Sequence, residues 1–564
     1  MLKWIYRIEV AKIQGTIKVN FRDLETLEFP EGTTYEEISH SFQKYFGYPI
    51  LVAKVDNHLK SLKSQLDKKC DIDFYDRSSI VGNTVYSNSV QLLLIVAIKQ
   101  LFGKDADVQI EHSIDRGIYC ELVGENLTKA VLSKIEAKMR EIVKQDLIYT
   151  KLSVLRLDAI KYFKKKNQMD KVNVLKYISN SFINLYRLDE EYDYFFGEMA
   201  PSTKVVDEFK LTYIKNNGFV LSYPNIYNPE CTLDYKHHEV VFEEFLKYTL
   251  WGRNIHISNA SDLNKIVSMG KYNEVIQLAE THYESQLAKI ADIIYERKGE
   301  VKFILLSGPS SSGKTTTAKK LSIYLQARGF NTHAISTDDY FLERKDTPKD
   351  ENGNYDFECL EALDMDLFNK HMSKLLDGER VLLPEFNFIT GKKEYKKNYL
   401  QLKENDIVII EGLHAINDIL TMSIDKKNKI KIYVSPLTQL NIDNHNRIHT
   451  SDTRRLRRII RDNRTRGYMA ADTLKMWSKI REGEEHYIYP YQDECDIVIN
   501  TALVYELGVL KTYAEPLLFS VPEDDPTYPE ALRLINFLRN FLPIPSEEVP
   551  RDSVLREFIG GSCF

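Results

Sequence analysis

A glycine-rich loop between an apolar run and a polar helical run constrains this chain more than any other segment. Residues 305–321 read LLSGPSSSGKTTTAKKL, which contains the complete pattern G-x-x-x-x-G-K-T. The apolar run VKFILL precedes the loop, and TTTAKKLSIYLQARG after it is typical of a helix. Later strand-like runs alternate with helical ones, so the segment from residue 301 onward predicts an α/β unit with a parallel sheet.

The composition of the loop indicates anion binding. Glycines let backbone N–H groups curl around a phosphate, and the helix N-terminus adds partial positive charge. We therefore predict an ATP site in which Lys314 reaches the β- and γ-phosphates and the Thr315 hydroxyl binds Mg²⁺. A glycine–serine turn that only caps a helix is the alternative, and the full match disfavours it. The predicted ATP-binding residues are Gly308, Pro309, Ser310, Ser311, Ser312, Gly313, Lys314, Thr315 and Thr316.

Acidic residues follow two later strand-like runs. STDDYF places Asp338 and Asp339 after the second strand of the unit, and DIVIIEG ends a further strand at Glu411. The carboxyl ends of parallel strands form the usual ligand edge of such a sheet. Asp338 is therefore a candidate proton acceptor or ligand of a metal-bound water, and Glu411 a candidate metal ligand. A solvated turn, a helix cap and a strand-end glutamate facing water are the alternatives.

An arginine-rich segment, NRIHTSDTRRLRRIIRDNRTRG, carries eight arginines. A helix this basic repels itself unless anions are close. We predict that Arg458, Arg461 and Arg466 close over a transferred phosphoryl group. The alternatives are a solvated helix face or an RNA-binding patch, and we expect Arg455 and Arg464 to be surface residues.

The overall composition limits the class of protein. A chain of 564 residues predicts two to four domains, and a net charge of −6 excludes a uniformly basic nucleic-acid binder. The six cysteines form no C-x-x-C pair, which fits a reducing compartment. The start, MLKWIYRIEVAKIQG, is interrupted by charges, and the longest apolar run, residues 90–96, is too short to span a bilayer. We expect a soluble, cytoplasmic protein that does not contact a membrane.

The segment from residue 301 to about 518 resembles the uridine–cytidine kinase and phosphoribulokinase group of P-loop kinases. GPSSSGKTT, STDDYF, NYDFECLEALD, LPEFNFITGKK, IIEGLHAI and DTRRLRRIIRDNRTRG carry the resemblance, the last of them most specifically. It implies transfer of the γ-phosphoryl group of ATP to a nucleoside 5′-hydroxyl, with Mg²⁺. Taken with the residue-level arguments above, this resemblance makes the candidate residues Asp338, Lys314, Arg461 and Arg466 for catalysis, Thr315, Glu411 and Asp338 for the metal, and Asp356, Phe386, Phe388 and Arg458 for the acceptor.

The chain departs from that group at positions that read the acceptor. Phe386 stands where the pyrimidine kinases have a tyrosine, and Gly391 where they have a base-contacting histidine. Tyr468 replaces a usual lid arginine. A site without these polar contacts loses its means of recognising a base. Base specificity is therefore open, and a kinase of another small sugar or alcohol is an alternative.

The front half resembles two domains of RNA-linked proteins. Residues 1–77 resemble a TGS domain, a β-grasp module, through ILVAKVDNHLKSL and CDIDFYD. Residues 78–225 resemble the α+β editing domain of threonyl- and alanyl-tRNA synthetases. Where that domain places metal ligands this chain has Asn88, Leu92, Phe195 and Met199, a set unsuited to zinc. We therefore expect no metal-dependent editing hydrolysis here.

The remaining segments complete a multidomain prediction. We expect a helical connector at 226–298, the P-loop kinase domain at 299–520, and a C-terminal helix and tail at 521–564. A front half of this kind predicts contact with RNA or the ribosome, a structural role, or a homo-oligomer interface. The alternative function is an RNA- or ribosome-associated P-loop nucleotide switch.

Overall fold

A computed structural model describes residues 16–564, apart from residues 23, 216, 350–352, 354 and 439. Residues 1–15, on which part of the expectation of a soluble, cytoplasmic protein rests, lie outside the described residues. The described chain has the predicted multidomain fold class, with two α+β regions followed by an α/β region around a parallel sheet.

The first region is a mixed five-stranded sheet crossed by one helix. Alternating burial places Val19, Phe21 and Phe74 on the helix side of the sheet, and Thr34 caps the helix through a reciprocal pair with Glu37. The strand order is β2-β1-β5-β3-β4, with β1 and β5 parallel. The elements are β1 (Thr16–Phe21), β2 (Glu25–Pro30), α1 (Tyr35–Phe42), β3 (Ile50–Val55), β4 (His58–Ser61) and β5 (Cys70–Asp76).

The second region packs helices against a four-stranded antiparallel sheet, with a three-stranded sheet beside it. The elements are α2 (Ile80–Phe102), β6 (Asp107–Ile114), β7 (Gly117–Val123), α3 (Lys129–Lys144), β8 (Thr150–Leu155), α4 (Arg156–Lys165), α5 (Met169–Lys176), β9 (Phe182–Leu188), β10 (Glu191–Asp193), β11 (Lys210–Tyr213) and β12 (Gly218–Ser222). Among the described helices, α2 alone is long and apolar enough to cross a bilayer, but most of it is buried in the core of this region.

Three helices link the two halves: α6 (Glu239–Asn254), α7 (Ala260–Ser268) and α8 (Tyr272–Glu296). The long helix α8 lies within the segment 226–298 that we expected to be a helical connector. Its buried face, which includes Tyr283, Leu287 and Ile294, joins the same hydrophobic cluster as the sheet that follows. The connector therefore packs onto the C-terminal region, and the exact domain boundaries stay a prediction.

The C-terminal region is built on five parallel strands in the order β14-β19-β13-β20-β21. The central strands are buried throughout and covered on both faces, as parallel sheets require. The elements are β13 (Phe303–Ser307), α9 (Lys314–Gln326), β14 (Asn331–Ser336), α10 (Met365–Leu376), β15 (Val381–Leu382), β16 (Glu385–Asn387), β17 (Lys392–Glu394), β18 (Tyr399–Leu400), β19 (Asp406–Glu411), β20 (Lys429–Ser435), α11 (Thr450–Arg466), α12 (Ala470–Tyr487), β21 (Ile497–Asn500), α13 (Glu506–Phe519), α14 (Tyr528–Leu538) and α15 (Arg556–Ile559).

Candidate active site

The glycine-rich loop joins the central strand β13 to helix α9, as the sequence predicts. Gly308 is required by close approach, because a Cβ there would lie 2.0 Å from the carbonyl oxygen of Val434. Gly313 has φ +89°, a left-handed conformation that favours glycine, and it is the residue before α9. The loop therefore presents the first turn of α9 to the carboxyl edge of the sheet, where an anion gains most from the helix N-terminus.

Lys314 bends back over the loop. Its Nζ donates to the carbonyl oxygens of Gly308 at 2.7 Å and Pro309 at 3.1 Å. Burial lowers the pKa of Lys314, and nearby Arg461 acts in the same direction, while Glu411 opposes the shift. A cation held among carbonyls at this position is placed to meet a phosphate in the loop.

Glu411 ends β19 between two functional strands. In the sheet register it lies opposite Leu306 at the end of β13 and opposite Ser336 at the end of β14. Its Oε1 accepts from the Thr315 hydroxyl at 3.4 Å, whereas Oε2 is buried with no hydrogen-bond partner among the described residues. Burial raises the pKa of Glu411, although Lys314 favours its ionised form.

These oxygen donors fit Mg²⁺. An unpartnered buried carboxylate oxygen beside a hydroxyl is the type of ligand pair that a hard cation takes from a protein when phosphates and water complete its shell. Within the described residues no group of three or more His, Cys, Asp or Glu side chains is arranged for a metal. A Mg²⁺ site does not need such a group, because the ion keeps several waters and is held by few protein ligands, here Glu411 and Thr315.

Asp338 lies in a single 3₁₀ turn, Thr337–Tyr340, directly after β14. Its backbone N–H donates to the Ser336 hydroxyl at 3.2 Å, which caps the turn. Asp338 keeps an exposed surface, although protein surrounds its carboxylate. That crowding raises its pKa, and Asp339 acts in the same direction, while Lys314 lowers it. A carboxylate of raised pKa beside a phosphate site is a suitable proton acceptor.

One buried carboxylate organises the predicted lid arginines. Asp462 is fully buried in α11 and pairs with Arg458 at 3.0 Å, Arg461 at 3.3 Å and Arg466 at 3.2 Å. Arg458 also donates to the Ser310 hydroxyl at 2.5 Å. The predicted arginines are thus gathered near the loop, and Asp462 supplies one of the anions that a helix this basic needs.

A second ion pair, which the sequence pattern did not predict, supports the loop. Glu484 on α12 accepts from the backbone N–H of Ser310 at 3.1 Å, and Arg454 on α11 pairs with the same carboxylate while donating to the Ser310 carbonyl at 3.2 Å. Although burial favours the neutral acid, Arg454 holds the pKa of Glu484 below its usual range. The backbone N–H and the backbone carbonyl of Ser310 are therefore both fixed from outside the loop.

Arg457 is also fully buried behind the loop. It donates to Glu506 at 2.7 Å and to the Thr501 carbonyl at 2.7 Å, and the Thr501 hydroxyl in turn donates to the Ser312 carbonyl at 2.6 Å. The spacing RRLRR in the sequence showed that α11 is basic, but not which arginines face inward.

The prediction that Arg455 is a surface residue is wrong. Only 11% of its side chain is exposed, and it pairs with Glu530 on α14 and faces Asp452. Burial lowers its pKa to about 9. Arg464, the other residue expected at the surface, is exposed but donates to backbone carbonyls of the C-terminal tail.

An aromatic cluster lies next to Asp338. The rings of Phe386 and Phe388 are 5.1 Å apart, and both lie edge-on to Phe341. Phe386 is buried and its N–H donates to Asp339 at 3.3 Å, whereas 58% of Phe388 is exposed. One wall of the predicted acceptor pocket is therefore fixed to the turn that carries Asp338, and the other is open.

Asp356, predicted to hold the acceptor's sugar hydroxyls, is half-buried. Its Oδ1 accepts from the N–H of Glu358 at 3.0 Å. Glu358 was not predicted, although Asp338, Asp356 and Arg458 are all close enough to influence its titration. Burial raises the pKa of Glu358, with Arg458 opposing the shift. The acceptor side of the site is thus rich in carboxylates.

Arg344 occupies the space where a side chain at position 391 would begin. Gly391 has φ +67°, and a Cβ there would lie 2.7 Å from the Arg344 Cβ. Arg344 donates to the Phe388 carbonyl at 2.8 Å, and its N–H donates to the Gly391 carbonyl at 2.9 Å. The backbone conformation of the β16–β17 hairpin and the position of Arg344 therefore both disfavour a histidine at position 391.

The sequence model of the Phosphoribulokinase / Uridine kinase family matches residues 303–506. This region is a P-loop kinase domain of that family. Among solved structures, the kinase domain is similar to a possible uridine kinase from Bacillus stearothermophilus, at 17% identity over 38% of this chain and 98% of that one, with a TM-score of 0.28. A D-glycerate 3-kinase from Cryptococcus neoformans gives 15% identity over 38% and 87%, with a TM-score of 0.22.

The N-terminal region is similar to threonine–tRNA ligases. That of Carboxydothermus hydrogenoformans is 31% identical over 200 residues, which are 35% of this chain and 31% of the ligase. That of Desulforamulus reducens is 28% identical over 200 residues and the same shares. The chain therefore spans about a third of the length of these curated relatives. The predicted resemblance of the two halves to different families is confirmed.

In the editing-like region, the four residues that stand where the synthetases have metal ligands make packing contacts. Asn88 donates to the Phe196 carbonyl at 3.3 Å, and the Met199 sulfur accepts from the Ser89 hydroxyl at 3.6 Å. Leu92 and Phe195 belong to the buried core of this region. These contacts agree with side chains that complete a core.

A buried charge network joins the front half to the segment that leads into α11, the arginine helix of the kinase domain. Lys171 pairs with Asp193 at 2.7 Å and with Asp443, in the segment before α11, at 2.9 Å, and all three are buried. His445 contacts both Asp193 and Asp107, the latter at 2.9 Å. The front half therefore holds the chain that leads into α11.

Proposed function

We propose that the kinase domain transfers the γ-phosphoryl group of ATP to the 5′-hydroxyl of a nucleoside. The convergence of Lys314, Glu411 and Asp338 at the carboxyl ends of adjacent parallel strands carries the proposal. An aromatic wall at Phe388 and the carboxylate of Asp356 lie on the acceptor side, which suits a base and a sugar.

The proposed reaction uses the chain's own groups in the following way. The acceptor hydroxyl oxygen bonds to the γ-phosphorus, the bond from that phosphorus to the bridging β-oxygen breaks, and ADP leaves. Asp338 takes the hydroxyl proton, for which its raised pKa makes it a better acceptor than an ordinary carboxylate. Lys314, Arg461 and Arg466 neutralise charge on the moving group.

Mg²⁺, when bound by Thr315 and Glu411, would neutralise phosphate charge and orient the triphosphate. Helix α11 carries the arginines over the loop, and closure of this helix against the acceptor would exclude water, so that hydrolysis does not compete with transfer. Arg458 contacts Ser310 in the loop, and its charge also acts on Glu358 on the acceptor side, so it would influence both substrates.

The test replaces Asp338 and Asp356 separately. We expect Asp338→Asn to lower phosphoryl transfer by about 10²- to 10⁴-fold, with the dissociation constant for MgATP unchanged. Asp356→Asn should raise KM for the acceptor and leave basal ATPase activity unaltered. Asp366→Asn, an exposed acid at the start of α10, is the matched control. Full turnover in Asp338→Asn, or no binding of ATP by the unmodified protein, would refute the proposal.

A different acceptor is favoured by one observation. Arg344 fills the space at Gly391, so the base-contacting side chain of the pyrimidine kinases has no equivalent here. A small sugar or alcohol would need no such contact. A panel of nucleosides and sugars, tested for ATP-dependent phosphorylation, separates these acceptors by kcat/KM.

A second function of another class is supported by the tRNA-ligase similarity of the front half. In that case the P-loop domain would act as a nucleotide switch and the front half would contact RNA or the ribosome. ATPase activity that RNA stimulates, without phosphorylation of any acceptor in the panel, would favour the switch. Acceptor phosphorylation that RNA leaves unchanged would favour the kinase.

A further inference from the structure

The C-terminal tail reaches the phosphate-binding end of helix α9. After α14 the chain returns across the kinase domain and ends near the short helix α15. There the Oε2 atom of Glu557 accepts from the Thr316 backbone N–H at 3.3 Å and from the Thr316 hydroxyl at 2.8 Å. One carboxylate oxygen thus accepts from two donors in the first turn of α9.

The donors that Glu557 takes are ones that a phosphate would use. The N–H groups in the first turn of a helix have no partner within the helix. In α9 these free donors end before Thr317, because the Thr317 N–H donates to the Gly313 carbonyl at 3.0 Å. The Thr316 N–H lies just before it, among the donors that a P-loop offers to the α- and β-phosphates. A carboxylate and a phosphate oxygen cannot both accept there, and their like charges repel.

The tail is packed firmly around this contact. Val554 and Phe558 are fully buried, and a Cβ on Gly313 would lie 2.4 Å from the Val554 Cγ2 atom. Asp552 pairs with the buried Lys320 of α9 at 2.9 Å. Glu557 itself is only half-buried, so its side chain can leave Thr316 while the backbone of the tail stays in place.

The same tail segment is bonded to the arginine helix. Arg464 donates to the carbonyls of Glu557 at 2.8 Å and Phe558 at 3.1 Å. The guanidinium of Arg457 lies over the Phe558 ring, 5.0 Å from its centroid. Movement of α11 over a bound triphosphate would therefore pull on the segment that carries Glu557.

We propose that Glu557 is an internal occupant of the α-phosphate position of the loop. A triphosphate must displace this carboxylate, so the tail weakens nucleotide binding and couples it to the position of α11. The inference rests on the proposed function, because it requires a triphosphate in the loop. The competing explanation is that Glu557 only stabilises the N-terminus of α9, as any carboxylate there would.

The test compares Glu557→Gln with Glu548→Gln in the full chain. Both remove one negative charge from the tail, but Glu548 is exposed and serves as the matched control. Isothermal titration would measure the dissociation constants of MgATP, inorganic tripolyphosphate and adenosine. We expect Glu557→Gln to bind MgATP and tripolyphosphate about tenfold more tightly than the unmodified chain, the ratio that corresponds to 1.4 kcal/mol. Adenosine, which has no phosphate, should bind equally to all forms.

A second variant guards against misfolding. Glu557→Asp keeps the charge but shortens the side chain by one methylene, so its carboxylate no longer reaches Thr316, and we expect it to bind tripolyphosphate more tightly as well. Equal affinities in the Glu557 variants and Glu548→Gln, with only a lower melting temperature in the former, would overturn the proposal in favour of a helix cap. If neither the unmodified chain nor any variant binds MgATP or tripolyphosphate, the proposed function itself fails.

Discussion

Lys171 offers a direct test of how the front half is attached to the kinase domain. Its ammonium group is fully buried and lies 2.7 Å from Asp193 and 2.9 Å from Asp443, which are buried as well. Lys171→Met keeps most of the volume but leaves two buried carboxylates without this partner. Removal of one member of a buried ion pair typically costs about 3–5 kcal/mol, because the remaining charge is left uncompensated.

The network itself sets where in that range the loss should fall. His445 contacts the other carboxylate oxygen of Asp193, so one of the two carboxylates keeps a cationic partner. Asp443 also accepts from the backbone N–H of His445 and from Asn446. We therefore expect the lower end, about 3 kcal/mol, from Lys171→Met. Lys161→Met is the control, because Lys161 is 77% exposed in an i,i+3 pair, which is worth about 0–1 kcal/mol.

Urea unfolding followed by fluorescence would measure the free energy of the first transition in each variant. The two halves share this interface, so we expect Lys171→Met to separate one transition into two, with limited proteolysis cutting between them. An unfolding midpoint that matches Lys161→Met, with a single transition retained, would refute the reasoning that this network joins the halves.

Three further predictions concern the loop and the same network. Gly308→Ala would place a Cβ 2.0 Å from the Val434 carbonyl oxygen, so the loop must shift, and we expect the rate of phosphoryl transfer to fall by about 100-fold. Gly47→Ala is the control, because Gly47 has open space around it, and it should leave the rate of transfer unchanged. Glu484→Gln removes the charge that holds the loop amide and should raise KM for ATP about tenfold, measured by steady-state kinetics at fixed acceptor. Against burial, neighbouring aspartates raise the pKa of His445 to about 10. The stability that His445 contributes to the fold is therefore complete below its unfolded pKa of about 6.5 and is lost as pH rises through about 10. His445→Gln should flatten this dependence of the free energy of unfolding on pH, as measured in unfolding titrations.

The fold of the kinase domain could be predicted because its signals are local. The loop motif, the apolar strand before it and the helix after it lie within one short segment. In the sequence itself, Asp338 follows one strand directly and Glu411 ends another. Parallel strands bring such ends to one edge, which is why these separate motifs meet. The structure also has the predicted arginine helix, since its basic pattern and its glycine stop at Gly467 are contiguous.

The support of the loop could not be predicted because it depends on distant partners. Glu484 lies thirty residues beyond Arg454 on another helix, and the direction in which each arginine of α11 faces follows from what packs against it. The error at Arg455 has this cause, since its partner Glu530 belongs to α14. Glu557 is still further away, 241 residues beyond Thr316, in a tail without a recognisable motif.

Helix α11 is one element through which the two halves can influence each other. Its lead-in segment is bonded to the front half at Asp443, its first turns hold the loop through Arg454, and its last turn holds the tail through Arg464. A small rotation of this helix would therefore change the loop, the lid arginines and the Glu557 contact together. A ligand that altered the front half at Lys171 would act on phosphoryl transfer through this helix, without any contact of its own with the active site.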